Sequence, residues 1–439
     1  MSRTSTETRH ELPPAVREPH DIGSTDETID LMVRWFREYG DTYRVYSPTR
    51  ASWTWVVHDP EDIKRVLVTN HRNYTKGARI ERVKLLLGNG IMTSEGELWR
   101  RQRRMMQPAF HRRVIENFSA RIRAASDRLL DRWETAANRD EPINLTASMS
   151  GMTLEVVLDA IFGDDLRRLV SDFHDNPFML VTQESKRDPK FAYEFRRLGR
   201  VVLELARERL ADQTQHYDFL QMLLEARDPD SGAGMSEREL VDEVLTLVVA
   251  GHETTASALT WTWWLLSTHA GVEQRLHAEQ DAVGDLGASA CYADLDRLPY
   301  TQQVLFESMR LYPPGWLLTR RTIAEDKLSG FNVPPRTDVF VSPYISHRHP
   351  RHWQHPDEFD PEHFDAVQVE ARHKFIYIPF AAGPRHCIGE NFSIHEMMLH
   401  MNGATRRFRL RALDGEPVRI EARVNLRPAQ DLMMRVERR

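Results

Sequence analysis

The run Phe380-Ala-Ala-Gly383-Pro-Arg385-His-Cys387-Ile-Gly389 sets five residue types at the spacing F-x-x-G-x-R-x-C-x-G. Each suits a different task around one metal centre. A cysteinate is a strongly donating axial ligand for a haem iron and favours O–O cleavage there. Gly383 lets the chain turn tightly ahead of the ligand. Gly389 lets the backbone approach a porphyrin face where a Cβ would collide. Backbone N–H groups of such a loop can hydrogen-bond the sulfur. Phe380 packs on the loop, and Arg385 is suited to pairing with a carboxylate at the porphyrin rim. The chain has two cysteines in 439 residues, which make no disulfide framework. The second, Cys291, lies ahead of Asp294-Leu295 without such surroundings and reads as a packing residue.

Three further constellations stand upstream. Ala250-Gly251-His252-Glu253-Thr254-Thr255 lies within a long apolar segment. A mid-helix glycine costs about 1 kcal/mol against alanine, and a threonine hydroxyl can bond back to the carbonyl four residues earlier and bend the helix. Glu307-Ser-Met-Arg310 is E-x-x-R, followed directly by Leu311-Tyr312-Pro313-Pro314. Three residues apart on a helix, the carboxylate and guanidinium share a face and can pair bidentately. Trp99 and Arg103 stand four apart in W-x-x-x-R.

In order and kind these motifs resemble the cytochrome P450 family. The likeness runs from about residue 25 to the end, through W-x-x-x-R, A-G-x-E-T, E-x-x-R, P-E-x-F and the cysteine loop. It implies haem b with Cys387 as axial ligand. Ala250 and Gly251 would leave room beside the haem for dioxygen and water. Thr254 would hydrogen-bond the oxygen being activated, with Glu253 linking that site to solvent protons. Trp99, Arg103, Arg320 and Arg385 would hold the propionates. Glu307 and Arg310 would join a third residue from Pro361-Glu362-His363-Phe364, where the family has arginine. His363 would hydrogen-bond the pair without supplying a fixed charge.

The implied activity is a monooxygenase reaction, a hydroxylation or epoxidation by O2. Electrons would come ultimately from NAD(P)H through a separate ferredoxin and ferredoxin reductase. Arg100, Arg101, Arg104, Arg112 and Arg113 form a basic patch that would receive an acidic ferredoxin. By the same resemblance Leu86, Val249, Trp316, Leu317, Leu318 and Ala429 line a mainly apolar substrate pocket. The substrate would be a small or carrier-tethered secondary-metabolite scaffold, or alternatively a fatty acid. The stretch between Phe162-Gly163 and Tyr217-Asp218 would carry a reduced access lid around Ser185–Lys190. Peroxide-using haem-thiolate enzymes and non-catalytic haem carriers are the rival readings, and the Glu253-Thr254 pair favours the O2-dependent one. His347, His349, His352 and His355 are irregularly spaced among arginines and read as surface residues rather than a zinc site.

These residues need a scaffold. Capped by Ser236 and Glu239, the segment Ser236–His269 predicts a helix roughly 50 Å long, stopped at Gly271 and buried through the fold. A short amphipathic helix carries Ile29, Met32, Val33 and Phe36 and ends at Gly40. Another helix spans Thr301–Leu311. Strands are expected at Tyr43–Tyr46, Trp53–Val57, Leu317–Thr322, Asp338–Val341, Val418–Val424 and Leu432–Val436. The fold class is mainly α with a small β lobe: a flexible arm over residues 1–25, then a single domain over 26–439. A composition of 41% hydrophobic and 28% charged residues with net charge −6 suits a globular core and asks for no nucleic acid. The first thirty residues hold neither a signal core nor a span, so no membrane anchor and a cytoplasmic location are expected.

Overall fold

The structure, a computed structural model, describes residues 12–25, 27–77, 80–172, 178, 189–211, 215–413 and 417–439. It is mainly helical, with short strands drawn from both ends of the chain. The expected lid around Ser185–Lys190 lies for the most part outside the described residues.

The central helix spans Glu237–Thr268. Its capping box is complete: Glu239 N–H donates to Ser236 Oγ, and Ser236 N–H donates to the Glu239 carboxylate. Arg101 also pairs with Glu239 at 2.5 Å and so ties the Trp99 helix, Gly96–Met106, to this end. Apolar residues are buried on several faces, among them Leu240, Val244, Val248, Leu259, Trp263 and Leu266. Helix Leu145–Phe162 packs along it, close enough that a Cβ at Gly251 would stand 2.9 Å from Val157 Cγ2. Leu145–Phe162 is also the one helix among the described residues long and apolar enough to cross a membrane, yet most of it is buried in the main core.

The central helix does not stop at Gly271. It ends at Thr268, where the His269 ring bonds the Leu265 carbonyl at 2.8 Å and satisfies an end-of-helix acceptor. Gly271 falls in the first turn of the next helix, Ala270–Val283.

A five-stranded sheet runs in the order Thr42–Ser47, Ser52–Val57, Asp338–Val341, Leu318–Thr322, Tyr74–Thr75. Only the pairing of Ser52–Val57 with Asp338–Val341 is parallel. Met433–Arg438 pairs with Ile143–Asn144 and with Phe408–Ala412. Within the expected strand Val418–Val424, only Ile420–Ala422 is strand, in a hairpin with Leu426–Pro428.

The N-terminal arm is not free from residue 12 onward. Ala15 bridges Arg44, Val16 N–H donates to the Arg44 carbonyl at 2.9 Å, and Val16 and Ile22 are buried. Two apolar anchors and a strand edge suffice to hold a segment otherwise rich in charge. His347 and His349 are buried rather than exposed. His347 Nε2 accepts the Ile378 N–H, and His349 bonds Asp41, so hydrogen bonding explains both. Among the described residues no group of histidines, cysteines and carboxylates is arranged to hold a metal ion.

Candidate active site

The cysteine loop is clamped from below. Gly383 has φ 72°, and a Cβ there would lie 2.1 Å from the Leu67 carbonyl oxygen. Leu67 belongs to the π-helical turn Arg65–Thr69, a distortion frequent at functional sites. Within the loop, Cys387 N–H donates to the Phe380 carbonyl at 2.9 Å. Ala381 has φ 62°, a left-handed conformation that costs an alanine roughly 1–2 kcal/mol. Ala381→Gly is therefore expected to raise stability by about 1 kcal/mol and the melting temperature by roughly 1–2 °C. Calorimetry of the two proteins checks this; a lower melting temperature for the glycine variant would count against the strain.

Burial, the largest influence, pushes the Cys387 thiol up, while the Gly389 N–H and the Arg103 guanidinium pull against it. Yet Cys387 retains exposed surface. A residue set deep in the protein that still has exposed surface faces open space rather than packed side chains. A Cβ added at Gly389 would meet only Cys387 Sγ, at 3.9 Å, so that bare Cα opens onto the same space. Arg103 sits on the cysteine side, donating to the His386 carbonyl at 2.9 Å and to Gln107 at 2.8 Å.

Three cations gather deep in the fold nearby. The register Tyr74↔Thr322, Thr75↔Arg321 carries Lys76 alongside Arg320, and Thr319 Oγ1 donates to the Lys76 carbonyl at 2.7 Å. Arg385 stacks 3.8 Å over the Trp99 ring and pairs with Glu95 at 2.6 Å. Burial first, then mutual repulsion, pushes Lys76 down to about 7 and, with Glu95 opposing, Arg385 to about 10. Burial alone holds Arg320 at about 10, again with Glu95 opposing. Among the described residues Glu95 is the only carboxylate in contact with this group; it accepts the Lys76 backbone N–H at 2.7 Å as well as the Arg385 pair. Buried positive charge short of a counter-ion is costly, and Arg320 and Arg385 have this one carboxylate between them. Haem b carries two propionates, so the residues present fit it. Of the expected rim residues, Arg320 and Arg385 join this cluster, Trp99 acts through Arg385, and Arg103 lies toward the sulfur. Lys76 and Glu95 were not foreseen from the sequence; the strand register that brings residue 76 to residue 320 is a tertiary fact.

On the central helix, Thr254 Oγ1 donates to the Ala250 carbonyl at 2.8 Å, and Glu253 accepts from Asn425 Nδ2 at 2.9 Å. Gly251, expected to make space at a cofactor, instead makes space for Val157. Leu86, Met92 and Val249 are each partly buried against the main core. Trp316, in contrast, is sealed in a separate core with Trp261 and Phe340, its indole N–H on the Arg423 carbonyl at 3.1 Å, so it lines no pocket. Leu317 packs against that same core and Leu318 against a third, while Ala429 is exposed beyond the hairpin.

The loop between Leu86 and Glu95 is pinned to the central helix by two carboxylates. Asn89 N–H donates to Asp242 and Ile91 N–H to Glu243, each at 2.8 Å. Burial, with Asp242 and Glu239 adding repulsion and Lys76 and the Ile91 N–H opposing, pushes the Glu243 carboxyl up to about 8. A raised acid stabilises the fold fully below its unfolded pKa near 4.5 and loses that contribution as pH rises through about 8. Glu243→Gln keeps the acceptor without the charge. Its unfolding free energy should match wild type near pH 5 and exceed it by roughly 2–4 kcal/mol at pH 8.5. A constant gap across that range would refute the ionisation.

Glu307 and Arg310 pair bidentately at 2.7 Å with both side chains 0% exposed. His363 Nδ1 meets Glu307 at 3.0 Å and Nε2 meets the Gln354 carbonyl at 2.7 Å. The ring joins the Glu307 carboxylate to the Gln354 carbonyl. His363 thus hydrogen-bonds the Glu307–Arg310 pair from the P-E-x-F segment.

The family model described as Cytochrome P450 matches residues 14–188 and 177–434. The chain is 36% identical over 386 residues to cyclooctatin synthase of Streptomyces melanosporofaciens, covering 84% of this chain and 83% of that one. It is 32% identical to pentalenene oxygenase of Streptomyces avermitilis, covering 82% of each. A crystal structure of a cytochrome P450 superposes with TM-score 0.86 at 25% identity over 98% of this chain and all of that one. A cytochrome P450 haem domain does so with TM-score 0.85 at 23% identity, covering 97% and 98%. With an open-faced cysteine, a buried cation excess for two propionates and a family match over nearly its whole length, the chain belongs to the cytochrome P450 family of haem-thiolate monooxygenases.

Proposed function

We propose that this cytochrome P450 uses O2 to hydroxylate or epoxidise a mainly apolar polycyclic scaffold of the terpenoid kind, drawing electrons from a separate ferredoxin and its reductase. The observation that carries the oxidative reading is Cys387 itself, exposed although set deep in the protein, its thiol backed by the Gly389 N–H. Haem b bound there supplies oxygen activation, with electrons ultimately from NAD(P)H. Cys387 would hold the iron. Lys76, Arg320 and Arg385 would hold the propionates, with Trp99 fixing the Arg385 plane. Arg103 steadies the cysteine loop through the His386 carbonyl. Glu253 carries protons toward the Thr254 hydroxyl. Leu86, Met92 and Val249 offer an apolar wall that keeps water from the reacting carbon.

Two relatives support the substrate class: cyclooctatin synthase and pentalenene oxygenase are each more than 30% identical across four-fifths of the chain. Titration of the haem-loaded protein with polycyclic terpene hydrocarbons and with fatty acids tests it. The expected result is a Soret shift to shorter wavelength with the former. A shift with fatty acids alone would overturn the terpenoid reading.

The docking face is narrower than the sequence suggests. Arg100 pairs with Glu97, Arg101 with Glu239, and Arg104 with Asp228 and Asp230. Arg112 stacks on Tyr292 and bonds Asn391; neither it nor Arg113 pairs with a carboxylate among the described residues. A concavity of about 670 Å³ bounded by Arg103, Arg104, Phe110, Arg112 and Asn391 lies beside them. An acidic ferredoxin steered to this face would bind more weakly as salt rises.

A further inference from the structure

We propose that Asn425 is a positioning residue for Glu253, a role that rests on reading Glu253 as the proton carrier. The amide Nδ2 of Asn425 donates to Glu253 Oε2 at 2.9 Å. Asn425 lies in the turn of the hairpin Ile420–Ala422/Leu426–Pro428, far from the central helix in sequence.

That hairpin is held in place without Asn425's side chain. Ser257, one turn after Glu253 on the same helix face, donates its hydroxyl to the Leu426 carbonyl. Leu426 N–H donates to the Pro314 carbonyl at 3.0 Å, and the Arg423 carbonyl accepts the Trp316 indole N–H at 3.1 Å. Ala422 and Leu426 are buried with Trp261 and Trp316. The frame therefore delivers the amide to the carboxylate, and the amide adds little to the frame.

The choice of residue fits the task. A carboxylate next to Thr254 that must pick up and release protons needs a fixed orientation. It also needs a neighbour that does not take the proton itself. A carboxamide donates a hydrogen bond and has no exchangeable charge near neutral pH. A donor on one oxygen favours the ionised form and restrains the side chain against rotation. An aspartate at 425 would place a second carboxylate against Glu253, and the two would share a proton with raised apparent pKa values.

The test uses haem-loaded enzyme with a surrogate ferredoxin, its reductase and NADPH, without added substrate. In that cycle dioxygen leaves either as hydrogen peroxide, after two electrons and two protons, or as two waters, after four of each. Asn425→Ala is expected to raise the peroxide-to-water ratio and lower the water-forming rate by about tenfold, the scale of one hydrogen bond to a charged group. The solvent isotope effect should rise with it. Asn425→Asp should move the pH profile of the water-forming rate upward. Glu253→Gln and Thr254→Ala serve as references. A readout independent of turnover comes from urea unfolding of Asn425→Ala, Glu253→Gln and the double variant, whose effects on the midpoint should not add. An unchanged reduced carbon-monoxide spectrum in Asn425→Ala shows that the haem pocket is intact. Wild-type peroxide ratio and isotope effect in Asn425→Ala, beside altered ones in Glu253→Gln, overturn the proposal alone. Wild-type behaviour in Glu253→Gln overturns the proton-carrier reading and the proposal together.

Discussion

Cys387→Ser is expected to abolish the thiolate-specific absorbance of the reduced carbon-monoxide complex and to bring oxygen insertion below detection, while the fold survives. Serine keeps nearly the size of cysteine and leaves the Cys387 N–H to Phe380 carbonyl bond in place. The Gly383 approach to Leu67 is likewise untouched, so the loop geometry has no reason to move. What changes is the donor atom. An alkoxyl oxygen does not ionise near neutral pH and does not push electron density onto iron as a thiolate does. The variant should unfold in urea within about 1 kcal/mol of wild type, as conservative substitutions away from packing defects do. Cys291→Ser is the control. Its Sγ–H meets Asp294 at 3.2 Å at the start of a four-residue helix, and its loss should leave spectrum and turnover unchanged. A thiolate band that persists in Cys387→Ser but vanishes in Cys291→Ser would reverse the assignment.

Where chemistry is local in the chain, the sequence speaks clearly. The cysteine loop, the E-x-x-R pair and the capping box each lie within ten residues, and their side chains meet as spacing requires. The central helix was legible because its apolar residues run through a whole domain width. Other features depend on distant segments meeting. Lys76 joins Arg320 only through a short strand pairing, and Asn425 reaches Glu253 only through a hairpin docked 172 positions away. No spacing rule announces either. Gly251 and Trp316 show the opposite failure. A small residue in a motif suggested a cofactor, and a large aromatic suggested a pocket wall. Each is explained by packing, against Val157 and against Trp261 respectively.

Arg310→Lys should destabilise the protein by about 3–5 kcal/mol and sharply reduce haem incorporation, although charge is conserved. All five N–H donors of Arg310 are spent: two on Glu307, two on the carbonyls of His347 and Pro356, and one on that of Glu358. Lysine brings three donors on a flexible stem and cannot reproduce the planar fork. Breaking a buried pair costs on this scale, against a total stability of about 5–15 kcal/mol. Removing both partners does not rescue the protein, because the three carbonyls would still be buried without donors. Glu307→Ala/Arg310→Met should therefore remain at least about 2 kcal/mol below wild type. The effect reaches the haem along a short path. Arg310 holds His347 through its carbonyl, the His347 ring accepts the Ile378 N–H, and the Ile378 carbonyl accepts the Ala381 N–H at the mouth of the cysteine loop. Tyr377 fastens the same segment to the Arg310 helix by donating to the Phe306 carbonyl at 3.0 Å. Loosening Arg310 thus frees the strand of chain that sets the position of Cys387. Urea unfolding together with the haem-to-protein ratio measures both consequences. Should Arg310→Lys unfold within about 1 kcal/mol of wild type and load haem fully, the guanidinium fork would not be what anchors the loop.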